Sequence, residues 1–153
     1  MKEILIGIGS NLGDRHQNIR DALDLLDFVE DLRCSAIHDT KAVLKDGAPK
    51  QWDKDFLNVV VYGKTTYTPV QILKRLKLIE EHLGRDPSSI NWSPRIIDLD
   101  LLLCDDCVVN FDNLKLPHPE MLKREFVMKP ALEVAPHMVH PLVGKKLVEI
   151  WKG

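Results

Sequence analysis

The sequence predicts an α+β fold: an antiparallel sheet with helices on one face and a loop-lined active-site cleft on the other. Three observations carry that expectation. Residues 3–9, EILIGIG, alternate with the period of a strand. Residues 68–84, TPVQILKRLKLIEEHLG, repeat apolar residues at helical spacing between clear start and stop signals. The elements then fall in the order strand, helix, strand, strand, helix, strand, which is the ferredoxin-like arrangement.

Each element has its own justification. In the first strand Ile4, Ile6 and Ile8 share one face, and Gly7 and Gly9 leave the other open to close approach. Asp14 can cap a helix in which Ile19, Ala22, Leu23 and Leu26 form one stripe. Residues 32–40, LRCSAIHDT, read as a second strand. Residues 41–54 mix charge, Gly and Pro without period and read as a mobile loop. Residues 56–65, FLNVVVYGKT, are rich in Val and aromatics and read as a third strand. The second helix opens on a capping box of Thr68 and Gln71 with Pro69 in the first turn. Its stripe is Ile72, Leu73, Leu76, Ile79 and Leu83, and Gly84 ends it. Residues 85–94 form a second polar loop, and 95–104, RIIDLDLLLC, the fourth strand. Beyond it the chain reads as irregular, with a short helix near 128–135 and a Pro-rich tail. No repeat or linker interrupts it, so 1–153 is expected to be a single domain.

Composition excludes several classes. Hydrophobic residues make up 44%, as in an ordinary globular core. Lys and Arg total 21 against 23 Asp and Glu, a balance that argues against nucleic-acid or anionic-membrane binding. No apolar run is long enough to span a bilayer. The start, MKEILIGIGSN, reads as a strand and not as a signal peptide, so a cytoplasmic protein is expected. Cys34, Cys104 and Cys107 read as free thiols. CDDC lacks a second Cys/His pair at zinc spacing and follows a strand, where a redox motif would open a helix.

The chemistry is concentrated in RIIDLDLLL. Residues i and i+2 of a strand point to one side, roughly 6.5–7 Å apart. Asp98 and Asp100 therefore share a face, while Ile97, Leu99, Leu101 and Leu103 are expected on the opposite, helix-covered one. Two such carboxylates can hold two Mg²⁺ ions about 3.5–4 Å apart, with phosphates and water as further ligands. Read alone, the D-x-D is as compatible with a solvated strand face as with a metal site. Arg85 and Arg95 close by are suited to clamping phosphates, although each alone reads as a surface charge. GIGSNLGD places its glycines at 7, 9 and 13 and misses the dinucleotide fingerprint, so it reads first as a tight turn.

Six blocks in consistent order, GIGSNLGDR, FLNVVV, IEEHLGR, WSPRIIDLDLLL, LPHPEMLKREFV and APHMVHP, resemble the 6-hydroxymethyl-7,8-dihydropterin pyrophosphokinases of folate biosynthesis. The resemblance implies transfer of the terminal diphosphoryl unit of ATP to the hydroxymethyl group of the pterin, with release of AMP. It implies that Asp98 and Asp100 hold two Mg²⁺ ions, and that Arg85 and Arg95 act with them in catalysis. It implies ATP contacts from Glu80, Arg85, Trp92, Arg95, His118 and Arg124. It implies pterin contacts from Thr40, Phe56, Asn58, Trp92, Asp98 and Phe126. The two small molecules are then the only partners, with no nucleic acid or membrane, and a monomer is expected.

The residue types suit those roles. A flat heteroaromatic ring is held by aromatic faces, and its amide-like edge needs donors and acceptors such as Asn58. The substrate hydroxyl is the nucleophile, so His137, His140 and the cysteines need no catalytic role. The chain departs from the family pattern at four places. Phe56 stands where Tyr is frequent, only Thr40 remains of a T-x-P, and Pro87 replaces a second loop arginine. Asn113 and Lys115 differ on the adenine side. Two other readings compete: a ferredoxin-like nucleotide- or metal-binding regulatory module without turnover, and a nicotinamide oxidoreductase built on GIGSNLG.

Overall fold

The computed structural model describes residues 1–40, 55–84 and 96–151. The loops 41–54 and 85–94, with Arg85, Trp92 and Arg95, lie outside the described residues. The main sheet runs β2 (Glu30–Cys34), β4 (Phe56–Thr65), β1 (Lys2–Ser10), β5 (Asp98–Cys104), with β3 (His38–Thr40) also paired to β4. Every pairing is antiparallel. This is the ferredoxin-like order: the first and third strands of the predicted pattern lie side by side at the centre.

Helices α1 (Arg15–Asp24) and α2 (Pro69–His82) cover one face. Asp14 caps α1 by accepting from the Gln17 N–H at 3.1 Å. Thr68 and Gln71 form the reciprocal capping box of α2, with Pro69 at its first position. Gly84, at φ +100°, takes the left-handed conformation that ends the helix without the clash a Cβ would bring. Against these helices pack Ile4, Ile6 and Ile8 of β1, Leu57, Val59 and Val61 of β4, and Leu99 and Leu101 of β5.

The opposite face is divided. One half is covered by α3 (Glu125–Val134), which packs Val127, Met128, Ala131 and Val134 against Leu5, Val60, Tyr62 and Leu102. The other half, carrying Phe56, Asn58, Gly9, Asp98 and Asp100, has no α3 residue packed on it among the described residues. The helix begins three residues before the expected 128 and carries Pro130 inside it.

Two strand expectations change. Leu103 does not face α1 and α2. The β1–β5 register runs Ile6↔Leu101 and then Leu5↔Leu103, so Leu102 is an extra residue, a β-bulge. Leu102 and Leu103 both enter the α3 core, and Cys104 returns to the other. The second strand is also two strands. Ser35 donates its N–H to the Val60 carbonyl at 3.0 Å and accepts the Val60 N–H on its hydroxyl at 2.9 Å, so a side chain takes one place in the ladder. Residues 105–151, expected as irregular apart from one helix, also hold two hairpins, β6 (Val109–Phe111) with β7 (Leu114–Leu116) and β8 (Val139–His140) with β9 (Lys145–Lys146), and a last turn, α4 (Leu147–Ile150).

Candidate active site

Cross-strand register assembles the site. Across the half-face beyond α3, His38 pairs with Asn58, Asn58 with Gly9, and Gly9 with Asp98. The adjacent row runs Val60, Gly7, Asp100, and Thr40 pairs with Phe56 at the end of β4. Asn58 and Asp98 are two strand spacings apart, about 10 Å. The glycines between them form a floor without side chains. A Cβ on Gly9 would lie 3.1 Å from Asn58 Oδ1 and 3.4 Å from Phe56 Cδ1, so glycine lets both side chains lean over β1.

At the amide end, Asn58 is buried. It donates from Nδ2 to Thr40 Oγ1 at 2.8 Å and, more weakly, to the His38 carbonyl at 3.5 Å. Those bonds fix the amide plane. Phe56 is half-buried beside it, and Phe126 is half-buried near the start of α3. The Arg124 guanidinium, at the cap of that helix, lies 5.7 Å from the Phe126 ring centroid, within cation–π range.

At the acidic end, burial, then the Asp98 carboxylate, then Glu80 push the Asp100 carboxyl up to about 7, against the opposing pull of Arg124 and Lys77. Asp100, buried beside two other carboxylates, therefore meets too little positive charge to ionise freely. Glu80 is 2% exposed and accepts the Leu99 N–H, the amide between the two aspartates, at 2.7 Å. Lys77 Nζ stands 3.4 Å from its other oxygen. Glu80 thus pins the strand that presents the aspartates.

His118 follows the cis Leu116–Pro117 bond and donates its N–H to the Leu102 carbonyl at 2.9 Å. Its Nδ1 accepts the Glu120 N–H at 3.1 Å, which leaves Nε2 to carry the ring proton. Burial, then Arg124, hold the imidazole below its ordinary value, against the pull of Glu120 and Asp98. Asp98, Asp100, His118, Arg124, Glu80 and Lys77 therefore form one electrostatic group.

Lys77 has no signal in the sequence beyond its place one turn before Glu80, whereas the face that Gly7 and Gly9 leave open to close approach is the floor between Asn58 and Asp98. The GIGSN turn faces inward. Ser10 and Asn11 are buried, Ser10 Oγ donates to the Ile96 carbonyl, and Asn18 Nδ2 donates to the Leu12 carbonyl at 2.8 Å and to the Ile96 carbonyl at 3.3 Å. The turn anchors the approach to β5. Among the described residues no three His, Cys, Asp or Glu side chains gather as a metal-holding group. Among the described residues the same-side carboxylates of Asp98 and Asp100 would suit a hard cation whose remaining ligands are phosphates and water.

Fold and face together define the class: a ferredoxin-like α+β domain whose open half-sheet joins a carboxylate end to an amide-and-aromatic end. The model of the 7,8-dihydro-6-hydroxymethylpterin-pyrophosphokinase family matches residues 5–136, and the chain belongs to that family. A folate synthesis bifunctional protein of Chlamydia caviae is 42% identical over 145 residues, covering 94% of this chain and 32% of the relative. A 2-amino-4-hydroxy-6-hydroxymethyldihydropteridine pyrophosphokinase of Aquifex aeolicus is 38% identical over 150 residues, covering 97% of this chain and 90% of the relative. The chain thus spans about a third of the bifunctional relatives and most of the Aquifex one. Among solved structures, Plasmodium falciparum HPPK-DHPS with pteroate shares the fold at TM-score 0.72 and 15% identity, over 97% of this chain and 41% of that one. No helix among the described residues is long and apolar enough to cross a membrane.

Proposed function

We propose that the chain, as one domain over 1–153, transfers the diphosphoryl group of ATP to the hydroxymethyl group of 6-hydroxymethyl-7,8-dihydropterin. The products are the pterin diphosphate and AMP. The observation that carries this reading is the row Asn58, Gly9, Asp98, with an amide for a heteroaromatic edge at one end and a carboxylate for cationic phosphate chemistry at the other. The pterin lies on the glycine floor between Phe56 and Phe126, its edge read by Asn58, whose amide Thr40 orients. Its hydroxyl oxygen bonds to the β-phosphorus, the bond from that phosphorus to the α,β-bridging oxygen breaks, AMP departs, and the hydroxyl proton passes to solvent.

Asp98 and Asp100 would hold two Mg²⁺ ions, which neutralise charge on the transferring phosphates. Binding a cation removes the cost of ionising Asp100. Neutral His118, with its proton on Nε2, donates to a phosphate oxygen, and Arg124 supplies fixed charge on the same side. Arg85, Arg95 and Trp92 keep the nucleotide and loop roles that the family resemblance implies. The protein works as a monomer, and its need for ATP fits a cytoplasmic location.

Incubation with ATP, Mg²⁺ and the hydroxymethyl-dihydropterin tests this. AMP and pterin diphosphate in equal amounts are expected. ADP as the nucleotide product would make the protein an ordinary kinase, and binding without either product would make it a regulatory module.

A further inference from the structure

The pterin side of the site has two walls on different elements. One is the sheet, with Phe56 and Asn58 on β4 and Thr40 on β3; the other is α3, with Phe126. Among the described residues strand β3 is three residues long and is joined to β4 at His38, Asp39 and Thr40. Yet both acceptors that orient Asn58 belong to it: the Thr40 hydroxyl and the His38 carbonyl. A shift of β3 would rotate the amide that reads the ligand.

What holds β3 from the other side is Glu133. Its Oε1 accepts the Ala36 N–H at 3.0 Å, and its Oε2 lies 2.5 Å from His38 Nε2. Glu133 is seven residues beyond Phe126, two turns along α3 and on the same helix face. One carboxylate therefore ties the helix bearing the aromatic wall to the strand that orients the amide wall.

We propose that Glu133, acting through His38, is a positioning residue that sets the gap and angle between the two walls of the pterin pocket. The proposal rests on the pterin placement given above. Glu133 is 39% and His38 29% exposed, and contacts between such solvent-accessible polar side chains contribute little to stability. Its loss should therefore register in ligand geometry far more than in folding.

The test is equilibrium titration of the full chain with the dihydropterin and, separately, with Mg²⁺–ATP. Glu133→Ala should weaken pterin binding by about tenfold and leave ATP binding within about twofold. Glu133→Gln keeps an oxygen for the Ala36 N–H and an amide for the His38 ring, and should recover most of the loss. In a Phe126→Ala background, where one wall is already gone, Glu133→Ala should cost markedly less than in wild type. If Glu133→Ala does not fold, His38→Leu leaves the carboxylate on Ala36 and should show a smaller loss confined to the pterin. Equal weakening of both ligands, or no rescue by glutamine, would reduce Glu133 to a structural role. Unchanged pterin binding in Glu133→Ala, with Asn58→Ala and Phe126→Ala impaired, would overturn the clamp alone. Unchanged binding in Asn58→Ala and Phe126→Ala as well would overturn the pterin placement beneath it.

Discussion

Replacing Asp100 by asparagine should stabilise the metal-free protein while abolishing turnover. The carboxyl is raised from an ordinary 3.8 to about 7 by burial and by Asp98 and Glu80. The folded state thus holds this proton more tightly than the unfolded chain. Its contribution to stability is complete below about pH 4, is lost as pH rises toward 7, and stays lost above. The rise from 3.8 to about 7 corresponds to about 4 kcal/mol between protonation states. Partial exposure of Asp100 and the polar amide left by the substitution bring the expected gain at pH 8 nearer to about 2 kcal/mol, or roughly 4–8 °C in Tm for a chain of this size. His118 and His140 are held below their ordinary values by burial, so their effect runs the other way: stability grows as pH rises through the ordinary histidine range. The difference between wild type and Asp100→Asn cancels those histidines. Thermal unfolding in chelator from pH 5 to 8 should show the variant's advantage growing with pH, and Mg²⁺ should raise the wild-type Tm far more than the variant's. An advantage that shrinks toward pH 8, or a variant less stable than wild type throughout, would refute the electrostatic account of the pair.

Other perturbations separate the parts of the site. Phe126→Ala removes one stacking face worth roughly 1–3 kcal/mol and should weaken pterin binding by about one to two orders of magnitude, read by titration. Because Arg124 rests on that ring, a small change in nucleotide affinity should accompany it. Gly9→Ala puts a methyl 3.1 Å from Asn58 Oδ1 and should raise the KM for pterin several-fold while the KM for ATP stays put, measured in steady state. Glu80→Ala strips the Leu99 N–H of its acceptor and should cost about 1–3 kcal/mol in denaturant unfolding, together with a large fall in kcat; Glu80→Gln should restore more of the stability than of the rate.

The sequence made legible whatever is decided locally. The Thr68–Gln71 box, the Ile4–Ile6–Ile8 alternation and the same-side placement of Asp98 and Asp100 depend on neighbours within a turn or a pleat, and the structure has each of them. What it hid is decided across the chain. The bulge at Leu102 exists because β1 and β5 disagree in register, which neither strand announces alone. The break after Cys34 depends on a hydroxyl meeting Val60, 25 residues away. Glu80 lies among apolar positions of α2, but its partner is a backbone amide 19 residues on. Glu133 reads as an ordinary surface acid until β3 is laid beside α3, 95 residues apart in sequence from His38.

In the proposed reaction one half-sheet brings a heteroaromatic alcohol to the diphosphoryl end of a nucleotide. The decisive experiment follows ATP carrying a phosphorus label in its β position through a single turnover with the dihydropterin and Mg²⁺. All of the label should leave the nucleotide and appear in the pterin product, in step with unlabelled AMP, and Asp98→Ala should block its movement without preventing pterin binding. Label retained in a nucleotide diphosphate, or movement undiminished in Asp98→Ala, would contradict the claim.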